Sequence, residues 1–158
     1  MKNYYSYTVK IGDISIVEEN GNIVEIAFGK PKYLGAENET HEIKKAIQQL
    51  REYFDGKRKT FDFNMKAQGT EFQHKVWNAL QTIAYGELCS YKQIAEKIGN
   101  PKASRAVGMA NNKNPLPIVV PCHRVVGANG KLVGYASGLG IKEYLINLEK
   151  NNCQLVLL

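Results

Sequence analysis

The run Asn114-Pro115-Leu116-Pro117-Ile118-Val119-Val120-Pro121-Cys122-His123-Arg124-Val125-Val126 decides how this chain is read. Pro115, Pro117 and Pro121 bracket a short apolar, strand-like piece, Ile118 to Val120, that ends abruptly at a cysteine followed by a histidine. Proline fixes φ and carries no N–H, so Pro121 should end regular pairing and force a defined bend. A thiol on a stiff bend, beside a potential base and a cation, is a candidate nucleophile. The plainer alternative is a buried, inert cysteine at a strand end, and the rest of the chain has to decide between them.

Upstream of this run the apolar periodicity is helical. Thr70 with Gln73 and Ser90 with Gln93 each form a capping box, a reciprocal pairing of side chain and backbone that starts a helix. Phe72, Val76, Ala79, Leu80 and Ile83 give the apolar face of the first helix, ended by Tyr85-Gly86, and Tyr91, Ile94, Ala95 and Ile98 give the stripe of the second. Gly99 suits a position just past a helix end, and Asn100-Pro101 suits an N-cap and first residue. A third helix therefore follows, burying Ala103, Ala106, Val107 and Ala110. Two short helices joined this way describe a helix-turn-helix. Its outward side offers Ser104, Arg105, Gly108 and Asn112, one cation among small groups, which suits a helix pressed against DNA. An ordinary helical hairpin is the alternative.

Downstream, Gly127-Ala128-Asn129-Gly130 is a turn, Lys131 to Gly134 a short strand, and Tyr135-Ala136-Ser137-Gly138 a loop of small residues. The last helix turns Ile141, Tyr144, Leu145 and Leu148 inward, with Glu149 on the flank of that stripe, and an apolar tail from Cys153 to Leu158 packs against the fold. At the other end, Tyr4 to Ala27 alternates as a three-stranded antiparallel meander. Tyr5, Tyr7 and Val9 share one face, then Ile14 and Ile16, then Ile23 and Ala27, with a turn at Asn20-Gly21-Asn22. After a polar connection from Lys30 to Glu39, Ile43, Ile47, Leu50 and Phe54 mark a helix over His41 to Phe54, and Phe61 to Gln68 reads as a linker. The fold class is α/β in the broad sense and α+β in layout. Residues 1–66 form a small antiparallel sheet with a helix, and residues 67–158 a mainly helical part containing the helix-turn-helix.

The composition is that of an ordinary soluble globular protein: 158 residues, 44% hydrophobic and 23% charged, with no run long enough for a membrane span and no leader-like start. Cys89, Cys122 and Cys153 are odd in number and widely spaced, which fits a reducing cytoplasm rather than a disulfide framework. With His41, His74 and His123 equally scattered, nothing proposes a metal. The net charge of +6 is uneven: residues 1–66 hold 11 Lys/Arg against 10 Asp/Glu, residues 67–158 hold 10 against 5. A basic second half suggests a polyanionic partner.

At neutral pH a free thiol is only a few per cent thiolate, so a nucleophilic Cys122 needs help. His123 is adjacent, but neighbouring side chains in extended chain point apart, so proton transfer between them needs the Pro121 bend or a bridging water. The imidazole also needs an acceptor on its other nitrogen. After His123 the only acidic residues are Glu143 and Glu149, and Glu149 sits beside the inward row. Cys122, His123 and Glu149 are thus a plausible relay, and Asn114 stands where its amide could tie the helix-turn-helix to the cysteine.

Pro121-Cys122-His123-Arg124-Val125, preceded by Arg105-Ala106-Val107-Gly108 and Asn114-Pro115, resembles the O6-alkylguanine-DNA alkyltransferase family over about Thr70 to Glu149. The N-terminal part matches in layout, resembling that family's ribonuclease-H-like domain. The resemblance implies a monomer, without cofactor, that binds double-stranded DNA through its minor groove and flips out O6-alkylguanine, and also O4-alkylthymine. Cys122 would take the alkyl group irreversibly, once per molecule, supported by His123 through a water and by Glu149. Asn114 would be the hinge, Tyr91 would stand by the nucleotide's phosphate and the guanine N3, and Arg105 would fill the vacated stack. Tyr135, with Ala136 and Ser137, would line the guanine pocket, and the carbonyls of Cys122 and Val125 would accept from the exocyclic amine. Ser90 and Ser104 join the expected DNA contacts. Ala136 stands where some members have a serine and Ser137 where many have glycine, so benzyl adducts should fit less well than methyl. A regulator sensing alkylation or redox state through Cys122 shares the helix-turn-helix but has no use for Tyr91, Arg105, Asn114 and Glu149 in this arrangement. A cysteine hydrolase would not need the basic helical half, and a lesion-binding relative typically lacks the cysteine.

Overall fold

Strand alternation builds the first part of the chain and helical periodicity the second. The computed structural model describes residues 1–32, 35–132 and 138–156. It divides into two compact units, Met1–Gln68 and Gly69–Leu158. The expected strand through Gly134, the pocket residues Tyr135, Ala136 and Ser137, and the packing of the apolar tail lie outside the described residues.

In the first unit β1 (Lys2–Val9), β2 (Gly12–Glu19) and β3 (Asn22–Phe28) form the antiparallel meander. Asn20 (φ 53) and Gly21 (φ 83) take the left-handed conformation that a tight hairpin turn demands. A further strand, β4 (Ala36–Glu37), pairs parallel with β1, giving the order β3-β2-β1-β4 where a plain polar connection was expected. Two residues are too few to leave a periodic signature. The β2–β3 register slips at Val17/Glu18. That bulge adds one residue to β3, so Ile23 and Ile26 both point inward, and Ile26 rather than Ala27 is the buried partner.

Helix α1 (His41–Phe54) starts where the Thr40 side chain accepts from the Ile43 N–H, and it buries Ile43, Ile47, Leu50 and Phe54 together with Ala46 and Tyr53. The stretch expected to be a linker is instead packed. Phe63 is buried, and Asn64 to Lys66 bond both sides of Ile23, with Ile23 N donating to Asn64 O (2.9 Å) and Lys66 N to Ile23 O (2.9 Å).

The second unit opens with α2 (Glu71–Leu80), whose capping box at Thr70 and Gln73 is fully formed. It ends at Leu80, not at Tyr85-Gly86, and buries Trp77, whose indole N–H donates to Ala110 O (2.9 Å). Ser90 and Gln93 form the second capping box, at the start of α3 (Tyr91–Lys97). That helix closes in a Schellman turn, with Gly99 N–H donating to Glu96 O (3.0 Å), Asn100 N–H to Ala95 O (2.9 Å), and Gly99 left-handed at φ 79. Asn100-Pro101 does not start the next helix; α4 (Ser104–Asn112) begins after a further turn, with no side-chain cap. Its buried residues are Val107, Ala110 and Asn111, whereas Ala106, expected inside, is exposed. The helices α2, α3 and α4 pack on one another. Each of the fully buried Leu80, Ile94 and Leu145 contributes about 1.5–3 kcal/mol to this core.

Candidate active site

The apolar run before Cys122 is not a strand. Leu116 to Val120 forms a turn closed by Val120 N–H to Leu116 O (2.9 Å), with Ile118 at φ 75, a left-handed conformation uncommon for a β-branched residue. Prolines at 115, 117 and 121 remove the donors a ladder would use, so the segment folds on itself. Pro121 (φ −80, ψ 64) is the centre of an inverse γ-turn in which Cys122 N–H donates to Val120 O (2.7 Å). Cys122–Arg124 then make one 3-10 turn, and the pairing resumes as β6 (Val125–Val126) beside β5 (Cys89–Ser90), in parallel. Asn114 braces the bend from its start: its amide donates to Val120 O (2.8 Å) while its oxygen accepts from Leu116 N (2.9 Å).

Behind this bend lies α5 (Leu139–Val156). Its buried row is Lys142, Leu145 and Glu149, not the expected Ile141, Tyr144 and Leu148, which are half-buried or exposed. The His123 ring is fully buried and its Nε2 stands 2.6 Å from Glu149 Oε2. Arg124, which the sequence offered only as a neighbouring cation, grips the same carboxylate through Nε to Oε1 (2.8 Å) and Nη2 to Oε2 (3.0 Å). Its Nη1 donates to Ile83 O (2.7 Å), and Gly86 N–H donates to Glu149 Oε1 (3.1 Å).

Burial alone would raise the Glu149 pKa, but bonding to His123 and Arg124 outweighs it and holds the group at about 2. A carboxylate that stays ionised can only accept, so the proton between it and His123 resides on Nε2. Burial also lowers the His123 pKa, against the pull of Glu149, and keeps the ring neutral. Nδ1 is then the bare, basic nitrogen, and it is buried with no partner among the described residues.

Lys142 was not anticipated at all. Its side chain is 0% exposed, with Nζ 5.8 Å from the centre of the Tyr91 ring. Burial lowers its pKa, and the charge of Cys122 acts on it in the opposite sense. Burial, reinforced by Cys122, likewise raises the Tyr91 phenol. A lysine on an outwardly amphipathic helix reads as solvated; only its spacing from Leu145 and Glu149 could have flagged it. Asn111 is the other unforeseen member, 1% exposed, with Nδ2 3.3 Å from Cys122 O.

The remaining expected residues divide. Ser90, Tyr91 and Ser104 line one groove of about 640 Å³, together with Val126 and the Gly127 to Gly130 turn. Ser90 Oγ is engaged as the cap of α3, accepting from Gln93 N (3.0 Å). Val125 is buried beside the cysteine, whereas Arg105 stands exposed on α4. The Cys122 carbonyl, expected to accept from a guanine amine, already accepts from Asn111 and from the Val125 N–H, so both its lone pairs are engaged. Among the described residues no three His, Cys, Asp or Glu side chains gather as a metal site, and no helix is long and apolar enough to cross a membrane.

Fold and site together define a helix-turn-helix protein with a buried, electrostatically supported cysteine. Family profiles agree: residues 3–67 match the ribonuclease-like domain of 6-O-methylguanine DNA methyltransferase, and residues 71–151 match its DNA-binding domain. The chain belongs to the 6-O-methylguanine DNA methyltransferase family. A methylated-DNA–protein-cysteine methyltransferase of Methanosarcina acetivorans is 53% identical over 153 residues, covering 92% of this chain and 97% of the relative. The constitutive enzyme of that name from Bacillus subtilis is 45% identical, over 94% and 96% of the two chains. The crystal structure of Mycobacterium tuberculosis OGT in complex with DNA superposes with a TM-score of 0.89 at 40% identity, covering 95% of this chain and 94% of that one.

Proposed function

We propose that this chain repairs alkylated DNA by direct reversal, moving the alkyl group of O6-alkylguanine, and of O4-alkylthymine, in double-stranded DNA onto Cys122. The observation that carries this reading is the buried polar group that follows Cys122 in the chain: a neutral His123 with a bare Nδ1 and a Glu149 held ionised by Arg124, with the Lys142 cation also buried and acted on by the charge of Cys122. The thiol proton leaves through a water to Nδ1, the water that a buried, unpartnered nitrogen calls for. Lys142 steadies the thiolate. Glu149 fixes the tautomer and orientation of His123 rather than taking the proton itself.

The sulfur attacks the alkyl carbon in line, an S–C bond forms, and the C–O6 bond breaks with its electron pair leaving on the guanine. The departing base regains a proton by the same water from His123. The thioether is not hydrolysed, so each molecule acts once and needs no cofactor.

A lesion at O6 lies inside the base stack, so the nucleotide must flip out, at a cost of about a few kcal/mol. We assign Arg105, exposed on α4, to the space it vacates, with α4 in the minor groove. Tyr91 meets the phosphate and the guanine N3, and Ser90 and Ser104 contact the backbone from the shared groove. Because the Cys122 carbonyl is doubly engaged, acceptance from the exocyclic amine falls to Val125. Tyr135, Ala136 and Ser137 line the pocket by family resemblance. The second unit is then the DNA-binding and alkyl-acceptor domain, the first a ribonuclease-H-like one, in a cytoplasmic monomer. The test is a mass measurement: incubation with a duplex carrying O6-methylguanine adds one methyl to the protein, and Cys122→Ser abolishes the gain. An unchanged wild-type mass overturns the reading in favour of a binding or sensing role.

A further inference from the structure

Among the described residues of the second unit three large apolar side chains stand exposed: Tyr144 (36%), Leu88 (46%) and Met109 (65%). A lone apolar group at a surface is ordinary and calls for no account. Met109 is set apart by its company. Helix α4 holds no acidic residue, and exposed Lys102 and Lys113 flank it. Val107, Ala110 and Asn111 face the interior, so Met109 is the one bulky apolar group on the outer face of a helix bordered by cations.

Helical spacing says which way it points. Arg105, Met109 and Asn112 stand at i, i+4 and i+7 and form one exposed row. The Gly108 flank turns instead to Tyr91, since a Cβ at that glycine would lie 3.8 Å from the Tyr91 ring. Tyr91 and Met109 therefore serve different sides of α4. A polyanion is drawn by the cations, but a thioether gains nothing from charge. It contributes only where it meets apolar surface.

The minor groove supplies that surface in the deoxyribose faces of its walls, and minor-groove proteins use apolar side chains, methionine among them, as wedges. An unbranched, polarisable chain also fits the irregular surface that varied sequences present. Along α4, Met109 lies about 6 Å from Arg105, close to two base-pair rises of about 3.4 Å. Resting on the DNA-repair reading above, we infer that Met109 is a second anchoring residue, an apolar prop against the deoxyribose walls about two base pairs from the space that Arg105 fills. Its share of the affinity is indifferent to salt and to base sequence, whereas the share carried by phosphate contacts falls as salt rises.

The experiment measures affinity for an undamaged duplex, which offers nothing to transfer, by fluorescence anisotropy across a salt series for the wild type, Met109→Ala and Met109→Leu. Met109→Ala should weaken binding about fivefold to thirtyfold at every salt concentration, the scale of covering the 65% of a methionine that now stands open. The slope of log affinity against log salt should hold, because no phosphate contact is lost. Met109→Leu keeps the apolar bulk and should stay within about threefold of the wild type. Thermal midpoints of both variants should match the wild type, as befits an exposed side chain. No loss in Met109→Ala, a changed salt slope, an equal loss in Met109→Leu or a lowered midpoint each overturns the inference. So does self-association in sedimentation that Met109→Ala abolishes, which would make this row a contact between copies. A wild-type protein that acquires no methyl from an O6-methylguanine duplex removes the repair reading itself. One that acquires it while Met109→Ala binds as the wild type does removes this inference alone.

Discussion

Inside the Met1–Gln68 unit lie Ile14, Ile16, Ile23, Ile43, Leu50 and Tyr53, and the polar groups buried with them are Ser15, Glu18 and Gln49. Each is satisfied locally: Ser15 by Gly29 O, Glu18 by Asn3 and the Gly21 N–H, Gln49 by Asp62. Inside the Gly69–Leu158 unit a carboxylate, a guanidinium and an imidazole are buried in one bonded group, and the Cys122 thiol and the Lys142 ammonium are buried in the same unit. Buried ions are poor stabilisers, because desolvation consumes most of what their attraction returns. A unit that buries four ionisable side chains besides its cysteine gives up stability at a place where shifted pKa values serve chemistry. The other unit shows what the same chain builds when only a fold is required.

The comparison breaks most visibly at Glu149. Glu149→Gln leaves Arg124 buried without its counter-charge and His123 without its anionic acceptor, and should cost about 3 kcal/mol in urea unfolding. It should slow alkyl transfer far more than it weakens DNA binding. Asp55→Asn, which removes the exposed partner of Lys10 in the first unit, should stay within about 0.5 kcal/mol. The same contrast has a pH signature. Both Glu149 and His123 have folded pKa values below their unfolded ones, so each favours folding at higher pH. The second unit should therefore weaken as pH falls below about 6.5, where unfolded histidine protonates, and again from about 4.3 downward toward pH 2. Glu149→Gln should erase the lower limb.

A finer test is Lys142→Met. Removing a desolvated ammonium should leave stability unchanged or raise it by about 1 kcal/mol, while alkyl transfer slows and iodoacetamide labelling of Cys122 shifts to higher pH. Lower stability together with unaltered labelling would make Lys142 a packing residue. The smallest expected effect concerns what the units share. Thr40→Ala and Thr70→Ala each remove one helix N-cap and should each cost about 1 kcal/mol in thermal melts.

The two capping boxes of the second unit were the most legible part of the sequence. Thr70 with Gln73 and Ser90 with Gln93 act over three residues, and local pairing leaves a local pattern. Cys122, His123 and Glu149 could be picked out because the chain offers few acids after the cysteine. Three features stayed hidden, two because backbone detail outweighed apolar pattern and one because tertiary packing did. Ile118 to Val120 looks like a strand, yet proline spacing and a left-handed Ile118 fold it into a turn. Ala106 faces solvent and Asn111 the interior because α4 starts later than Asn100-Pro101 suggested. Lys142 is buried because α5 turns a charged row, not its apolar one, toward the thiol.

The bonds that close this site are long in sequence: 41 residues from Ile83 to Arg124, 26 from His123 to Glu149, 63 from Gly86 to Glu149. Contacts of that span form late, after the entropy of closing their loops has been met. During synthesis the cysteine leaves the ribosome well before the carboxylate that steadies its histidine. For that interval the polypeptide carries an ordinary thiol, no more reactive than glutathione's. On the proposed function, the ability to accept an alkyl group is thus a property the chain acquires only on folding, which would spare a protein that acts once from being spent before it can search.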